Sequence, residues 1–263
     1  MFLAHFNMAQ HPFAEHPPIE WLLKDERFAQ GLARLDYFVR DGLLAIILGQ
    51  TGLGKSSLLR LFIQALAKNR CRPLYLHLTH LNARGLLRLI VTALGEEPRW
   101  GKDRLFGQIL ERVRKDDAPT LLILDEAHLI DPDALTDLRL LLSSALDDAP
   151  PLKILLAGQE PLRGLLTRAA QADLANRICV KFHLHPLSQE QTAAYIDHRI
   201  RQSGATEKII EPEAKNLIHD YATGIPRQIN NIATACLIHA AAQNAKKINE
   251  PLVNQAMNEF RIA

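Results

Sequence analysis

Residues 49–56 read Gly-Gln-Thr-Gly-Leu-Gly-Lys-Ser, a spacing of glycines ahead of a lysine and a hydroxyl that suits phosphate chemistry. Gly49, Gly52 and Gly54 let the backbone fold back, so that N–H groups along Gly49, Gln50, Thr51, Gly52, Leu53, Gly54, Lys55, Ser56 and Ser57 face phosphate oxygens. Lys55 reaches the β- and γ-phosphates, and Ser56 offers its hydroxyl to Mg²⁺. A second run, Thr120-Leu-Leu-Ile-Leu-Asp125-Glu126, is apolar and ends in two carboxylates. After a phosphate loop, Asp125 at such a strand end holds Mg²⁺, directly or through water. Glu126 is then placed to polarise a water for in-line attack on the γ-phosphate. ATP with Mg²⁺ is the ligand pair this chemistry requires.

These groups need strands and helices to hold them. Leu43–Leu48 is an apolar run suited to a strand, and a helix-prone run follows the loop to Ala67. A helix is expected over about 25–40, ending at Asp41-Gly42. Strand two is expected over 73–79, strand three over 120–124, strand four over 152–157 and a last strand over 178–184. Helices fall between them at about 83–94, 102–115, 134–146 and 161–169, with another reaching Arg177. Residues 6–13 read as an extended lead-in. Strands alternating with helices predict a three-layer α/β domain on a parallel sheet, with its working loops at the C-terminal strand ends.

After His185-Pro186-Leu187 the pattern turns helical. Ser188 and Gln191 form a capping-box signature for a helix that stops near Gly204. Further helices are expected over about 211–222, 226–244 and 250–260. The division predicted is an α/β nucleotide domain over 1–186 and a helical lid over 187–263. A length of 263 residues accommodates both. Cys71, Cys179 and Cys236 are scattered and lack metal-ligand spacing, which reads as reduced thiols in a cytoplasmic protein. The N-terminus lacks a secretory pattern, and no run approaches the length of a membrane span.

Net charge is +2, but it is unevenly spread. Residues 60–115 carry twelve basic and four acidic groups, whereas residues 187–263 carry eight of each. The basic stretch reads either as a footprint for a phosphate backbone or as a set of solvated helix faces.

The ordered motifs resemble the ExeA/GspA-type AAA+ ATPases and the short transposition-helper ATPases related to them. The resemblance runs through Phe6, His11-Pro12-Phe13, the phosphate loop, Leu122–Ala127, Leu155–Gln159 and Asn176-Arg177-Ile178. It continues through Leu187–Arg199 and Gly224–Asn230, and so covers nearly the whole chain. Two departures stand out: His128 where the family usually has glutamine, and Gln159-Glu160-Pro161 in place of Gln-Pro-Glu. The first leaves His128 without an assigned role. Secretion members of the family carry a membrane segment and a periplasmic part after the ATPase. This chain ends with the lid, which reads as an isolated motor.

The resemblance implies a role for Gln159 as a first sensor of the γ-phosphate or attacking water, a satisfied loop amide being the alternative. Its strand is expected between the carboxylate strand and the outer face of the sheet. Arg227 is implied as a second sensor at the start of a lid helix, or else a surface arginine. Arg177 is implied as an arginine finger reaching a neighbouring subunit's ATP, with Arg163 and Arg168 as rivals. Such a finger demands head-to-tail assembly into a ring or a helical filament. His11, Pro12 and Phe13 are implied to flank the adenine, or else pack the N-terminus. In the transposition helpers the segment after strand two faces a central channel, which here points to Thr79, His80, Asn82, Arg84, Trp100 and Lys102 as contacts to duplex DNA. Trp100 reads equally as a packing residue.

The function expected is therefore an ATP-dependent, DNA-binding regulator of transposition that presents target DNA to a transposase and is released by hydrolysis. The alternative is an accessory ATPase for secretion or envelope assembly that acts on a protein partner. A small-molecule kinase shares the phosphate loop but predicts neither a second sensor nor a lid.

Overall fold

The computed structural model describes residues 2–67, 70–143, 152–205 and 207–260. The chain divides into two compact units. After the short α1 (Phe2–His5), the α/β unit begins with α2 (Glu26–Asp41) and continues through β1 (Leu44–Leu48), α3 (Lys55–Ala65) and β2 (Arg72–His77). Next come α4 (Ala83–Ala93), α5 (Lys102–Val113), β3 (Thr120–Asp125), α6 (Pro132–Ser143) and β4 (Leu152–Gly158). It closes with α7 (Glu160–Leu166), α8 (Ala172–Ala175) and β5 (Ile178–His183).

The five strands form one parallel sheet in the order β2-β3-β4-β1-β5. The three inner strands are buried at every position, as expected of strands covered on both faces. The edge strands β2 and β5 keep exposed positions, which explains the polar alternation in their sequences. Lys153, on inner β4, is tolerated because its ammonium donates to the Gly42 carbonyl just past α2 at 2.6 Å. Register aligns His77 with Asp125, and Leu48 with both Gly158 and His183, so all five strands end together.

That order corrects one expectation. β4 lies between β3 and β1, not between the carboxylate strand and the outer face. Gln159 therefore follows a central strand, flanked by the strands that carry Asp125 and the glycine loop. Adjacency in a parallel sheet is set by crossovers, which the order of motifs along the chain does not reveal. The helix expected over 134–146 is α6, which starts at Pro132; positions 144–146 and Lys68 of the basic stretch lie outside the described residues.

The helical unit contains α9 (Gln189–Gln202), α10 (Pro212–Ala222), α11 (Pro226–Ala242) and α12 (Glu250–Phe260). Ser188 accepts from the Gln191 N–H at 3.2 Å and the Gln191 side chain accepts from the Ser188 N–H at 2.9 Å, completing the capping box of α9. The N-terminal residues up to Glu26 group with these helices rather than with the α/β unit, unlike the division expected at 186. The cause is apolar: Phe6, Met8 and Phe13 are buried in one cluster with Ile196, Ile200 and Leu237. Buried Arg199 adds a polar clamp, donating to the carbonyls of Pro12 at 2.6 Å and Ala14 at 3.0 Å. Among the described residues, no helix is long and apolar enough to cross a membrane.

Candidate active site

The glycine loop leaves β1 and enters α3. Its first residue is anchored to the neighbouring strand, the Gly49 N–H donating to the Gly158 carbonyl at 3.1 Å. Gly52 and Gly54 adopt φ of +81° and +103°, a region that costs an L-residue about 1 kcal/mol or more. These two positions require glycine. Lys55 is the first residue of α3 and is buried. Its ammonium donates to the carbonyls of Gly49 at 2.9 Å and Gln50 at 3.1 Å, so the charge is folded back across the mouth of the loop. Ser56 and Ser57 follow on the first helical turn, where backbone N–H groups and the helix dipole favour an anion.

At the end of β3, Asp125 is fully buried. Its Oδ2 accepts from the Ser56 hydroxyl at 2.9 Å and from the Tyr75 hydroxyl at 2.8 Å, while its Oδ1 accepts from the Glu126 N–H at 3.0 Å. Burial, reinforced by that bond to Asp125, pushes the Tyr75 hydroxyl pKa upward, so it remains a donor at neutral pH. Among the described residues no group of three or more His, Cys, Asp or Glu side chains is set to hold a metal. A hydroxyl and a carboxylate in contact, with further oxygens from phosphates and water, fit Mg²⁺, which asks for few protein ligands.

Glu126 stands in the left-handed region, at φ 58° and ψ 34°, a sparsely populated conformation for a residue with a side chain. The turn of Ala127–Leu129 follows at once. It brings His128 Nδ1 to 3.5 Å from Glu126 Oε2, and His128 Nε2 to 3.1 Å from the Gln159 side-chain nitrogen. Gln159 precedes α7 without spending its side chain on a cap. Glu126, His128 and Gln159 thus form one side-chain chain across the ends of β3 and β4.

Two residues here were not assigned a role from the sequence. Tyr75 reads there only as an alternating strand residue; its signal is register, since it lies two positions before His77, the partner of Asp125, and so shares a face with it. His128 is visible as a departure from a pattern, but its two partners lie on either side of a strand junction.

The other expected residues fall as follows. Arg177 is exposed, immediately before β5. Leu44 pairs with Ile178 and Leu48 with His183, so Arg177 stands at the opposite end of the sheet from the glycine loop. Six residues of strand separate them, about 20 Å at ~3.3 Å per residue, too far for the side chain to reach its own loop. Its rival Arg163 is paired with Glu160 at 3.1 Å. Within the helical unit, which takes in Gly52–Gly54, the Arg227 N–H donates to the Gly52 carbonyl at 3.2 Å from the start of α11. Pro12 and Phe13 are buried, the Phe13 ring in the helical core, which favours the packing alternative for that ring.

Around α4 and α5, Thr79, His80, Asn82 and Arg84 are exposed, and Trp100 is 78% exposed. At that exposure Trp100 is not a core packing residue. The Arg84 guanidinium lies 4.8 Å from its ring centre. The loop carrying Trp100 is tied down by buried Gln108, which donates to the Glu97 carbonyl at 2.8 Å and accepts from the Arg99 N–H at 3.2 Å. Two of the expected contacts are already engaged. The Asn82 side chain accepts from the Gly85 N–H at 2.8 Å as the cap of α4, and Lys102 pairs with buried Asp137 at 2.8 Å.

Residues 39–166 match the family described as AAA domain. Over 254 residues the chain is 32% identical to General secretion pathway protein A of Aeromonas hydrophila, an alignment covering 94% of this chain and 46% of that protein. The chain thus spans less than half the length of that relative. Among solved structures it is similar to Cdc6p from Pyrobaculum aerophilum, with a TM-score of 0.75 and 20% identity over 96% of this chain and 71% of the other. It is likewise similar to the Aeropyrum pernix Orc1 protein in complex with DNA, with a TM-score of 0.70 and 15% identity over 92% and 67% of the two chains. At these identities the structural likeness speaks for the fold: an AAA+ P-loop α/β core with a helical C-terminal part.

Proposed function

We propose that this chain, which carries an AAA domain in the AAA+ P-loop fold, is a Mg²⁺-dependent ATPase that works as a head-to-tail assembly. The observation that carries the reading is the 2.9 Å contact between Ser56 and Asp125, which unites the end of the glycine loop with the end of the carboxylate strand. In this reading the loop N–H groups and Lys55 hold the β- and γ-phosphates of ATP. Ser56 and Asp125 hold Mg²⁺, which supplies positive charge at the phosphate oxygens. Glu126 takes the proton from the attacking water at its carboxylate oxygen, and Gln159 orients that water or the γ-phosphate. Arg177 of a neighbouring copy supports the charge that develops in the transition state. Its position at the far end of the sheet supports action in trans.

For the output, the reading is duplex-DNA binding that is gated by ATP and regulates transposition by presenting target DNA to a transposase. Exposed Trp100 with Arg84 across its face, on the basic stretch, supports a contact to nucleic acid. A second reading, a motor acting on a protein partner in secretion or envelope assembly, is favoured by the similarity to General secretion pathway protein A. The test is duplex-DNA anisotropy with no nucleotide, ADP, ATP, and ATP with Glu126→Gln. Salt-sensitive binding with ATP alone, strongest in the variant, supports the DNA output. ATP turnover without DNA binding in any state moves the assignment to the protein-partner motor. Absence of ATP turnover removes the ATPase reading itself.

A further inference from the structure

We propose that His128 is a positioning residue that couples Gln159 to Glu126, so that rotation of the Gln159 amide decides whether the Glu126 carboxylate is held or released. The inference rests on the ATPase reading above. It starts from three facts about one ring. Its Nε2 contacts the Gln159 side-chain nitrogen at 3.1 Å. Its Nδ1 lies 3.5 Å from Glu126 Oε2, beyond a good hydrogen bond. That Nδ1 is buried and, among the described residues, has no hydrogen-bond partner.

A neutral imidazole has one N–H and one lone pair, and the partner at one nitrogen decides which is which. An amide NH₂ only donates. With that group facing Nε2, the lone pair is at Nε2 and the proton is at Nδ1, 3.5 Å from the Glu126 carboxylate. Shortening and aligning that contact makes the bond. With the amide turned so that its oxygen faces Nε2, the proton sits at Nε2. Nδ1 then presents a lone pair to the carboxylate and repels it. Each tautomer carries one ring proton; the exchange loses a proton at one nitrogen and gains one at the other, with the 24% exposed Glu126 carboxylate as the route between buried Nδ1 and water.

Glu126 is suited to respond. Its backbone is in the left-handed region, held by its N–H bond to Asp125 Oδ1 and by the turn that contains His128. Gly158 completes the arrangement: a Cβ there would come within 3.1 Å of the His128 backbone nitrogen, so the turn packs directly on the end of β4. Reorientation of the Gln159 amide by a γ-phosphate oxygen would thus reach the water-activating carboxylate through one ring, without backbone motion.

The test is steady-state ATP hydrolysis and nucleotide affinity for wild type, His128→Phe, His128→Asn, His128→Gln, Gln159→Leu and the double variant His128→Phe/Gln159→Leu, each with its melting temperature. Phenylalanine keeps the ring volume and removes both nitrogens; asparagine is small enough for the turn but too short to span both partners; glutamine keeps a donor and an acceptor. The expected result is a loss of kcat of about tenfold in the phenylalanine and asparagine variants at unchanged nucleotide affinity. The glutamine variant should recover to within about threefold of wild type, and the double variant should be no slower than the worse single variant. Wild-type kcat in both His128→Phe and His128→Asn overturns the proposal. So does an additive double variant, or equal damage in His128→Gln, either of which marks a packing role. A wild-type protein that turns over no ATP overturns the ATPase reading, and the coupling with it.

Discussion

The Ser56 hydroxyl and the Asp125 carboxylate, 69 positions apart in the chain, meet at 2.9 Å. The contact is possible because β1 and β3, separated by β4, end at the same level of the sheet. Asp125 is also the acceptor for Tyr75 and for the Glu126 N–H. Asp125→Asn keeps the shape and removes the charge; it should lower kcat by about 100-fold or more in a Mg²⁺-dependent ATPase assay. Asp125→Ala should in addition lower the unfolding free energy by about 1 kcal/mol, because the Ser56 and Tyr75 hydroxyls and the Glu126 N–H lose their acceptor in a part-buried setting. A Mg²⁺ titration that is identical in wild type and Ser56→Ala would remove Ser56 from the metal site.

Glu126 offers a test that separates activity from stability. Its left-handed backbone carries strain that glycine does not feel. Glu126→Gly should therefore raise stability by about 0.5–1 kcal/mol, or leave it unchanged, while abolishing hydrolysis. Glu126→Gln should keep nucleotide binding and lose turnover. Thermal unfolding and single-turnover hydrolysis read the two effects independently. A fully active Glu126→Gln enzyme would reassign the general base.

Arg177 and Glu126 are expected to act across a subunit junction. Arg177→Ala should bind ATP normally and lose about 10³-fold or more in kcat. Mixing it with Glu126→Gln should restore part of the activity, since some junctions then pair an intact Glu126 with an intact Arg177. Two inactive variants that stay inactive when mixed, under conditions in which they co-assemble, would argue against an in-trans arginine at this position.

The basic face divides into residues that are available and residues that are engaged. Arg84→Ala with Trp100→Ala should weaken ATP-dependent duplex binding by roughly tenfold and flatten the log–log salt slope by about 0.9 for each phosphate no longer neutralised. Lys102→Ala should act mainly on the fold. It leaves the buried Asp137 carboxylate without its cation, for a loss of about 1–2 kcal/mol and a fall of about 3–6 °C in Tm. Salt-dependent anisotropy and thermal melts in parallel distinguish the two outcomes. A large DNA defect in Lys102→Ala at unchanged Tm would return that lysine to the DNA-facing set.

Much of this protein is determined locally. The glycine loop, the apolar inner strands, the capping box at Ser188 and the helical C-terminal part depend on spacing, turn chemistry and burial period, each decided within about ten residues. The proposal of Lys55, Ser56, Asp125 and Glu126 as one set follows from their types and order. Adjacency is not local. The position of β4 between β3 and β1, and with it the place of Gln159, depends on crossovers. The grouping of Phe6 and Phe13 with the helical core depends on which apolar surface they find. The engagement of Lys102 by Asp137 and of His128 by both Glu126 and Gln159 depends on partners brought together from separate elements. Local periodicity carries no record of which strand ends face one another; only packing the sheet and its helices brings those side chains within hydrogen-bond reach.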